Sequence, residues 1–175
     1  MSKIGLFYDT DTGTTRKVAK QIRKLLGEDT VSLCNVVKAT PEDFARYDAL
    51  ILGTPTLGDG ELPENWEAFL PQLQDVDLSG KTVALFGLGD QVGYGHEFVD
   101  ALGILWEAVS DCGATVVGEW PTGDYSYSQS RAEVDGVFVG LVLDNDNESD
   151  RTPERLAGWL AQVKPALLEA AGAAA

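Results

Sequence analysis

Apolar positions along the chain fall into two patterns: short unbroken runs, and stripes at three- to four-residue spacing. The runs at residues 3–8, 30–37, 49–53 and 82–87 have the length of buried strands. They alternate little, as expected where helices cover both faces of a sheet. A fifth run begins at residues 115–120 and resumes at Leu141-Val142-Leu143. Between its halves lies a polar, Tyr- and Ser-containing stretch, 121–140, which reads as an insertion within the fifth strand. The stripes predict helices. Val18, Ile22, Leu25 and Leu26 mark one over 14–26, with Arg and Lys on the opposite face. Pro41 opens a short one, with Thr40 as N-cap and Phe44 on the buried side. Trp66, Phe69, Leu70 and Leu73 mark a helix over 63–73, and Phe98, Leu102, Leu105 and Val109 another over 97–112. Thr152-Pro153-Glu154 opens the last, 152–169. Five strand–helix units in sequence predict an α/β fold: a five-stranded parallel sheet with helices on both faces, three layers in all, and right-handed crossovers. No repeat or linker divides the chain, so one domain is expected over 1–175, with an ordered core over 3–169.

Charge narrows the function. With 28 acidic and 13 basic residues, the formal net charge is -15. A surface that negative repels phosphate backbones and anionic lipid, which argues against nucleic-acid and membrane partners. The acid is concentrated: residues 47–130 hold fourteen Asp or Glu and one basic residue, Lys81, whereas 16–24 hold five basic residues and no acid. The two cysteines, Cys34 and Cys112, form no disulfide framework and read as reduced packing thiols. No apolar run approaches a membrane span of about 20 residues, and the first residues lack a signal peptide's apolar stretch, so a cytoplasmic location is expected.

In open parallel sheets, ligands bind beyond the carboxyl ends of the strands. Three loops there are unusual. The first, Thr10-Asp11-Thr12-Gly13-Thr14-Thr15, follows a strand and opens a helix, so backbone N–H groups and the helix dipole make an anion site. Four threonine hydroxyls add donors, and neither a Walker lysine nor the three-glycine dinucleotide fingerprint is present. Such a loop suits one terminal phosphate; the alternative is an ordinary N-capping turn. The second loop runs from Gly53-Thr54-Pro55-Thr56-Leu57-Gly58 through Gly60 to Pro63, and its glycines and prolines suggest a shaped connection. The third, Gly87-Leu88-Gly89-Asp90-Gln91-Val92-Gly93-Tyr94, sets a tyrosine among glycines, where it can present a flat face or simply meet solvent.

Together these loops resemble the FMN site of the flavodoxin family, over nearly the whole chain. Thr10 to Thr15 is similar to the family's phosphate loop, Gly53-Thr54-Pro55-Thr56 to its first flavin loop, and residues 81–94 to the strand and loop of its second. The insertion resembles that of the long-chain subgroup. The resemblance implies a doubly wound sheet in the order 2-1-3-4-5, for which flavodoxin is itself the usual illustration. It implies non-covalent FMN, with Thr10, Asp11, Thr12, Gly13, Thr14 and Thr15 on the phosphate. Pro55 and Thr56 would lead to the ring, Leu57 would cover one face, where many members carry Trp, and Tyr94 would stack on the other. A carbonyl at Gly58 would meet flavin N5, in a turn that includes Gly60. Gly89 and Asp90 would contact the pyrimidine edge, Asp146 would lie near the ribityl chain, and Leu88 belongs to the same cofactor-binding set. Glu97 stands where others often have Asn and is left out of the set.

The implied activity is one-electron transfer between the flavin semiquinone and hydroquinone, with no catalytic residue and no metal. A phosphate without a cation and acidic neighbours at Asp59, Glu61 and Asp90 would make that couple strongly reducing. One like charge about 8 Å away costs roughly 2 kcal/mol at an effective dielectric near 20. That is on the order of 90 mV for one electron. The exposed edge among Asp59, Glu61, Glu64 and Glu67 would steer basic-faced redox proteins to a monomeric carrier. The implied donor is an NADPH- or pyruvate-linked flavodoxin reductase. Residues 53–62 and 80–94 look most like flavodoxins of nitrogen-fixing bacteria, which implies the nitrogenase iron protein as acceptor. The alternative within the fold is an NAD(P)H-dependent quinone or FMN reductase, for which the sequence offers no second anion-binding loop. A phospho-receiver would need Asp where Gly53-Thr54 stand. His96 is expected to face solvent, the Asp144-Asn145-Asp146-Asn147-Glu148 cluster to form a polar loop near the cofactor instead of a calcium site, and the four tryptophans to pack in the interior.

Overall fold

Residues 3–9 and 13–172 are described by a computed structural model. The strands begin with β1 (Ile4–Tyr8), β2 (Val31–Asn35), β3 (Ala49–Pro55), β4 (Thr82–Leu88) and β5 (Thr115–Val117). They continue with β6 (Trp120–Pro121), β7 (Glu133–Val134), β8 (Val137–Phe138) and β9 (Leu141–Leu143). The helices are α1 (Thr14–Leu26), α2 (Pro41–Ala45), α3 (Glu64–Leu73), α4 (Asp100–Asp111) and α5 (Thr152–Ala170). The main sheet is parallel in the order β2-β1-β3-β4-β5, as expected, with β9 also on β4.

The fifth position of that sheet is shared. β5 pairs Thr115, Val116 and Val117 with Thr82, Val83 and Ala84; β9 pairs Leu141, Val142 and Leu143 with Phe86, Gly87 and Leu88. The inserted segment between them forms its own antiparallel sheet, β6-β8-β7. Its β7–β8 hairpin turns at Asp135 and Gly136, both with positive φ, as a two-residue Asp-Gly turn requires.

Strand side chains alternate between two cores. Ile4, Leu6, Ile51, Ala84 and Phe86 face one, completed by Ile22 of α1 and Trp159 of α5. Phe7, Leu50, Leu52, Val83 and Leu85 face the other, with Phe44 of α2, Trp66 and Phe69 of α3 and Leu102 of α4. This period-two division explains why the strand runs read as continuously apolar. Thr40 caps α2 in a reciprocal box: its hydroxyl accepts from the Asp43 amide, and the Asp43 carboxylate accepts from the Thr40 amide. Trp66 and Trp159 are fully buried and Trp106 and Trp120 half-buried, as expected.

Several boundaries depart from the sequence pattern. The second strand stops at Asn35, whose side chain caps a 3-10 turn over Val36–Lys38. Pro63 is the N-cap of α3, not its first residue. The fourth helix starts at Asp100 and not at residue 97, because Val99 is held in the left-handed region at φ 49°. Trp120 does not extend the fifth strand. Gly118, at φ 95°, turns the chain out of the sheet, and its carbonyl accepts from Trp159 Nε1 at 3.0 Å.

Candidate functional site

A cleft of about 350 Å3 opens outside the carboxyl ends of β1, β3, β4 and β9. That falls within the roughly 300–1,000 Å3 of small-molecule sites. Its walls come from all three loops. Thr14 stands at the first turn of α1; Pro55, Thr56 and Leu57 follow β3; Leu88, Gly89, Asp90 and Tyr94 follow β4; Asp146 closes the far side. Nine of the residues singled out in sequence thus line one cleft; Gly13, Thr15, Gly58 and Gly60 do not line it, and Thr10, Asp11 and Thr12 lie outside the described residues.

The first turn of α1 borders the cleft at Thr14. Gly13 is the N-cap at φ 91°, and a Cβ there would meet nothing within 4 Å. No acidic residue occupies the first turn, so the helix dipole is uncompensated by carboxylates. Thr15 lies behind the cleft wall, 1% exposed. Its Oγ1 is buried and has no hydrogen-bond partner among the described residues. Thr56 Oγ1 is in the same condition on the opposite loop. Buried hydroxyls are normally satisfied, so two orphans beside one cleft mark places where a polar ligand completes the bonding.

The second loop is pinned at both ends. The Thr56 amide donates to the Leu88 carbonyl at 3.1 Å, joining it to β4. Leu57 and Glu61 exchange two backbone hydrogen bonds, 2.9 and 2.7 Å, which close a tight turn and leave Leu57 half-exposed at the cleft edge. Gly58 and Gly60 sit within that turn at φ 46° and 87°; neither lines the cleft. Gly58 is at the exposed tip, where its peptide has room to rotate. Asp59, Glu61, Glu64 and Glu67 are all exposed on this side.

On the third loop, Asp90 folds back on its own turn. Its Oδ1 accepts from the Gly93 amide at 2.7 Å, the Val92 amide at 3.0 Å and Asn147 Nδ2 at 2.8 Å. The Gly93 bond first, and then the Asn147 bond, hold its carboxyl below the usual carboxylate range. Asp146 moves the other way: burial raises it, and the Asp90 and Asp144 charges add to the rise. Tyr94 is 50% exposed, with its ring free to border the cleft. Gly89 is needed where it stands, because a Cβ would come within 2.9 Å of Val99 Cγ1.

Glu97, Phe98, Val99 and Asn145 also line the cleft. Phe98 belongs to the helix stripe read from sequence, Val99 was not singled out, and Glu97 was set aside for its residue type. Among the described residues, no lysine or arginine lines the cleft. His96 is exposed and pairs with Glu97 at 3.3 Å. Asp144 is wholly buried and engaged by Gln91 and Asn147, so the acidic cluster forms a hydrogen-bonded loop. Cys34 and Cys112 are half-buried free thiols that burial pushes upward, consistent with packing.

A doubly wound sheet with an amphipathic, cation-free cleft at its β1/β3 switch point defines a mononucleotide-binding protein. Residues 6–159 match the Flavodoxin family. The chain is 50% identical over 167 residues to a flavodoxin of Picosynechococcus sp., covering 95% of this chain and 98% of that one. It is 49% identical over 176 residues to a flavodoxin of Klebsiella pneumoniae, covering 96% and 100%. A crystal structure of Fusobacterium nucleatum flavodoxin bound to flavin mononucleotide superposes with a TM-score of 0.90 at 34% identity, covering 95% and 99%. The chain belongs to the flavodoxin family. It is an electron-transfer protein that works with redox partners, and FMN is the cofactor of its family. Among the described residues, no helix is long and apolar enough to cross a membrane.

Proposed function

We propose that this chain is a low-potential one-electron carrier that holds FMN non-covalently in the cleft, as a single-domain, monomeric, cytoplasmic protein. The observation that carries this reading is a pair of buried hydroxyls without a partner among the described residues, Thr15 behind the cleft wall and Thr56 on it, beside a cleft that no described lysine or arginine lines. FMN held there would supply one-electron redox chemistry. The remaining work falls to the protein.

The amides at the start of α1, with the hydroxyls of Thr14 and Thr15 and the loop from Thr10 to Thr12, would hold the phosphate. Leu57 and Tyr94 would flank the ring, with Pro55, Thr56 and Leu88 at its margin and the Gly58 carbonyl, on the Gly60 turn, beside N5. Gly89 and Asp90 would meet the pyrimidine edge, and Asp146 the ribityl chain. Asp90 stays negative to lower pH than an ordinary carboxylate and keeps a like charge near the reducible ring. No lysine or arginine among the described residues lines the cleft to balance it, so added electrons would be disfavoured and the couple reducing.

An anaerobic spectral titration tests this. The FMN-loaded protein is expected to pass through a long-wavelength-absorbing one-electron form; direct passage from oxidised to fully reduced flavin overturns the reading.

The exposed Asp59, Glu61, Glu64 and Glu67 support docking of basic-faced partners. We place a NADPH- or pyruvate-linked reductase on the donor side. Similarity of residues 53–62 and 80–94 to flavodoxins of nitrogen fixers supports the nitrogenase iron protein as acceptor. Electron exchange with such a partner is expected to slow as ionic strength rises past about 0.1 M, where the Debye length is roughly 10 Å. Stopped-flow rates that ignore salt would remove the acidic rim from the docking surface.

A further inference from the structure

We propose that Gln91 is a positioning residue of the cofactor site, through which the inserted segment and the β9–α5 connection hold the turn that carries Asp90 and Tyr94. This rests on the FMN reading above.

That turn has little packing of its own. Val92, Gly93 and Tyr94 are exposed, Val92 at 76%, whereas Gln91 alone among them points inward and is 8% exposed. Its side chain joins this turn to two other segments. Nε2 donates to Asp144 Oδ2 at 2.8 Å and to Glu148 Oε1 at 2.7 Å. Oε1 accepts from the Ser126 amide of the insertion at 2.7 Å. The Gln91 backbone amide donates to Asp144 as well, at 3.1 Å. Two carboxylates on one side and an N–H on the other also settle the orientation of the amide, since the reverse would set its oxygen against both carboxylates.

Only a primary amide of this length meets the requirement. Glutamate would bring a third carboxylate to Asp144 and Glu148, methionine offers no donor, and asparagine is one methylene short. The partners are themselves anchored. Asp144 is fully buried, and Glu148 accepts from Arg155 of α5 at 3.0 Å. Arg155 lies 4.3 Å over the ring of Tyr125, whose hydroxyl donates to the Val142 carbonyl. The insertion grips the same turn again at Gly95, whose carbonyl accepts from the Ser128 amide at 2.7 Å. Since Tyr94 and Asp90 both border the cleft, freeing Gln91 loosens the wall that meets the flavin ring.

The test uses Gln91→Met and the wild type. In the variant, the FMN dissociation constant is expected to rise about tenfold, the scale of one lost hydrogen bond to a charged group. The visible circular dichroism of the bound flavin should weaken with it. A purely structural role would lower the melting temperature of the ligand-free protein while leaving the affinity and the flavin dichroism as in the wild type, and that result overturns the proposal. A second measurement needs no variant. Coupling is reciprocal, so FMN binding must tighten what Gln91 holds. Amide hydrogen exchange at Ser126 and at 145–148 of the wild type is expected to slow at least severalfold when FMN is added. Unchanged exchange in a wild-type protein that does bind FMN defeats this inference alone; a wild type that takes up no FMN defeats the functional reading with it.

Discussion

Thr15→Val is expected to leave the ligand-free protein as stable as the wild type, or more so, while weakening FMN binding by ten- to a hundredfold. The two effects have opposite signs because the hydroxyl has no partner among the described residues until a ligand supplies one. An unmade hydrogen bond at a buried hydroxyl costs about 1–3 kcal/mol, and replacement by an apolar group of the same shape removes that cost. Valine keeps the branched shape, and its helix propensity is close to that of threonine. A gain of about 1 kcal/mol would raise the melting temperature by roughly 2–4 °C in a chain of this size. With FMN present, the hydroxyl would donate to a charged phosphate, worth about 1.5–3 kcal/mol. Fluorescence titration of the apoprotein measures the affinity. An unaltered dissociation constant would move the phosphate away from α1.

The second large effect is expected at Asp9. It is 1% exposed and directly follows β1, ahead of the connection to α1. Its Oδ2 accepts from the Asn65 amide at 2.9 Å and the Trp66 amide at 3.1 Å, and its Oδ1 from Asn65 Nδ2 at 3.1 Å. These amides belong to the first turn of α3, whose N-cap, Pro63, offers no side-chain cap. A residue 56 positions away in sequence therefore caps the helix. Asp9→Ala strands two main-chain donors, and each buried orphan costs about 1–3 kcal/mol. A loss of about 3 kcal/mol or more is expected in urea denaturation, with roughly half recovered by Asp9→Asn, which keeps an acceptor. A loss below about 1 kcal/mol would show that water satisfies α3 as well as Asp9 does.

Local signals carried most of the architecture. Helix α1 followed from Val18, Ile22 and Leu26, although Leu25 of the same stripe is exposed, and α2 followed from Thr40 and Pro41, because spacing and capping chemistry act within a few residues. The interrupted fifth run foretold the insertion. What sequence did not show depends on contacts across the fold. Phe98 fits a helix stripe, yet the Phe98 amide donates to the Gln129 carbonyl of the insertion, and α4 starts two residues later. Trp120 looked like strand, and Gly118 was the available sign that the chain leaves the sheet. The cleft loops were legible through their threonines, glycines and prolines. Asn145 was legible only as part of a polar cluster near the cofactor, and Val99 was not, since the left-handed turn that sets it at the cleft has no local signature. Asp9 as the cap of α3 had no local signature at all.

The shared fifth position has one more consequence. Val117 ends its rungs opposite Ala84, and Leu141 resumes opposite Phe86. The excursion between them thus departs and returns without shifting any later rung on β4. Its hairpin tip at Asp135 and Gly136 is exposed or nearly so. A peptide grafted at that tip would leave every strand in register and the grip on Gln91 and Gly95 untouched.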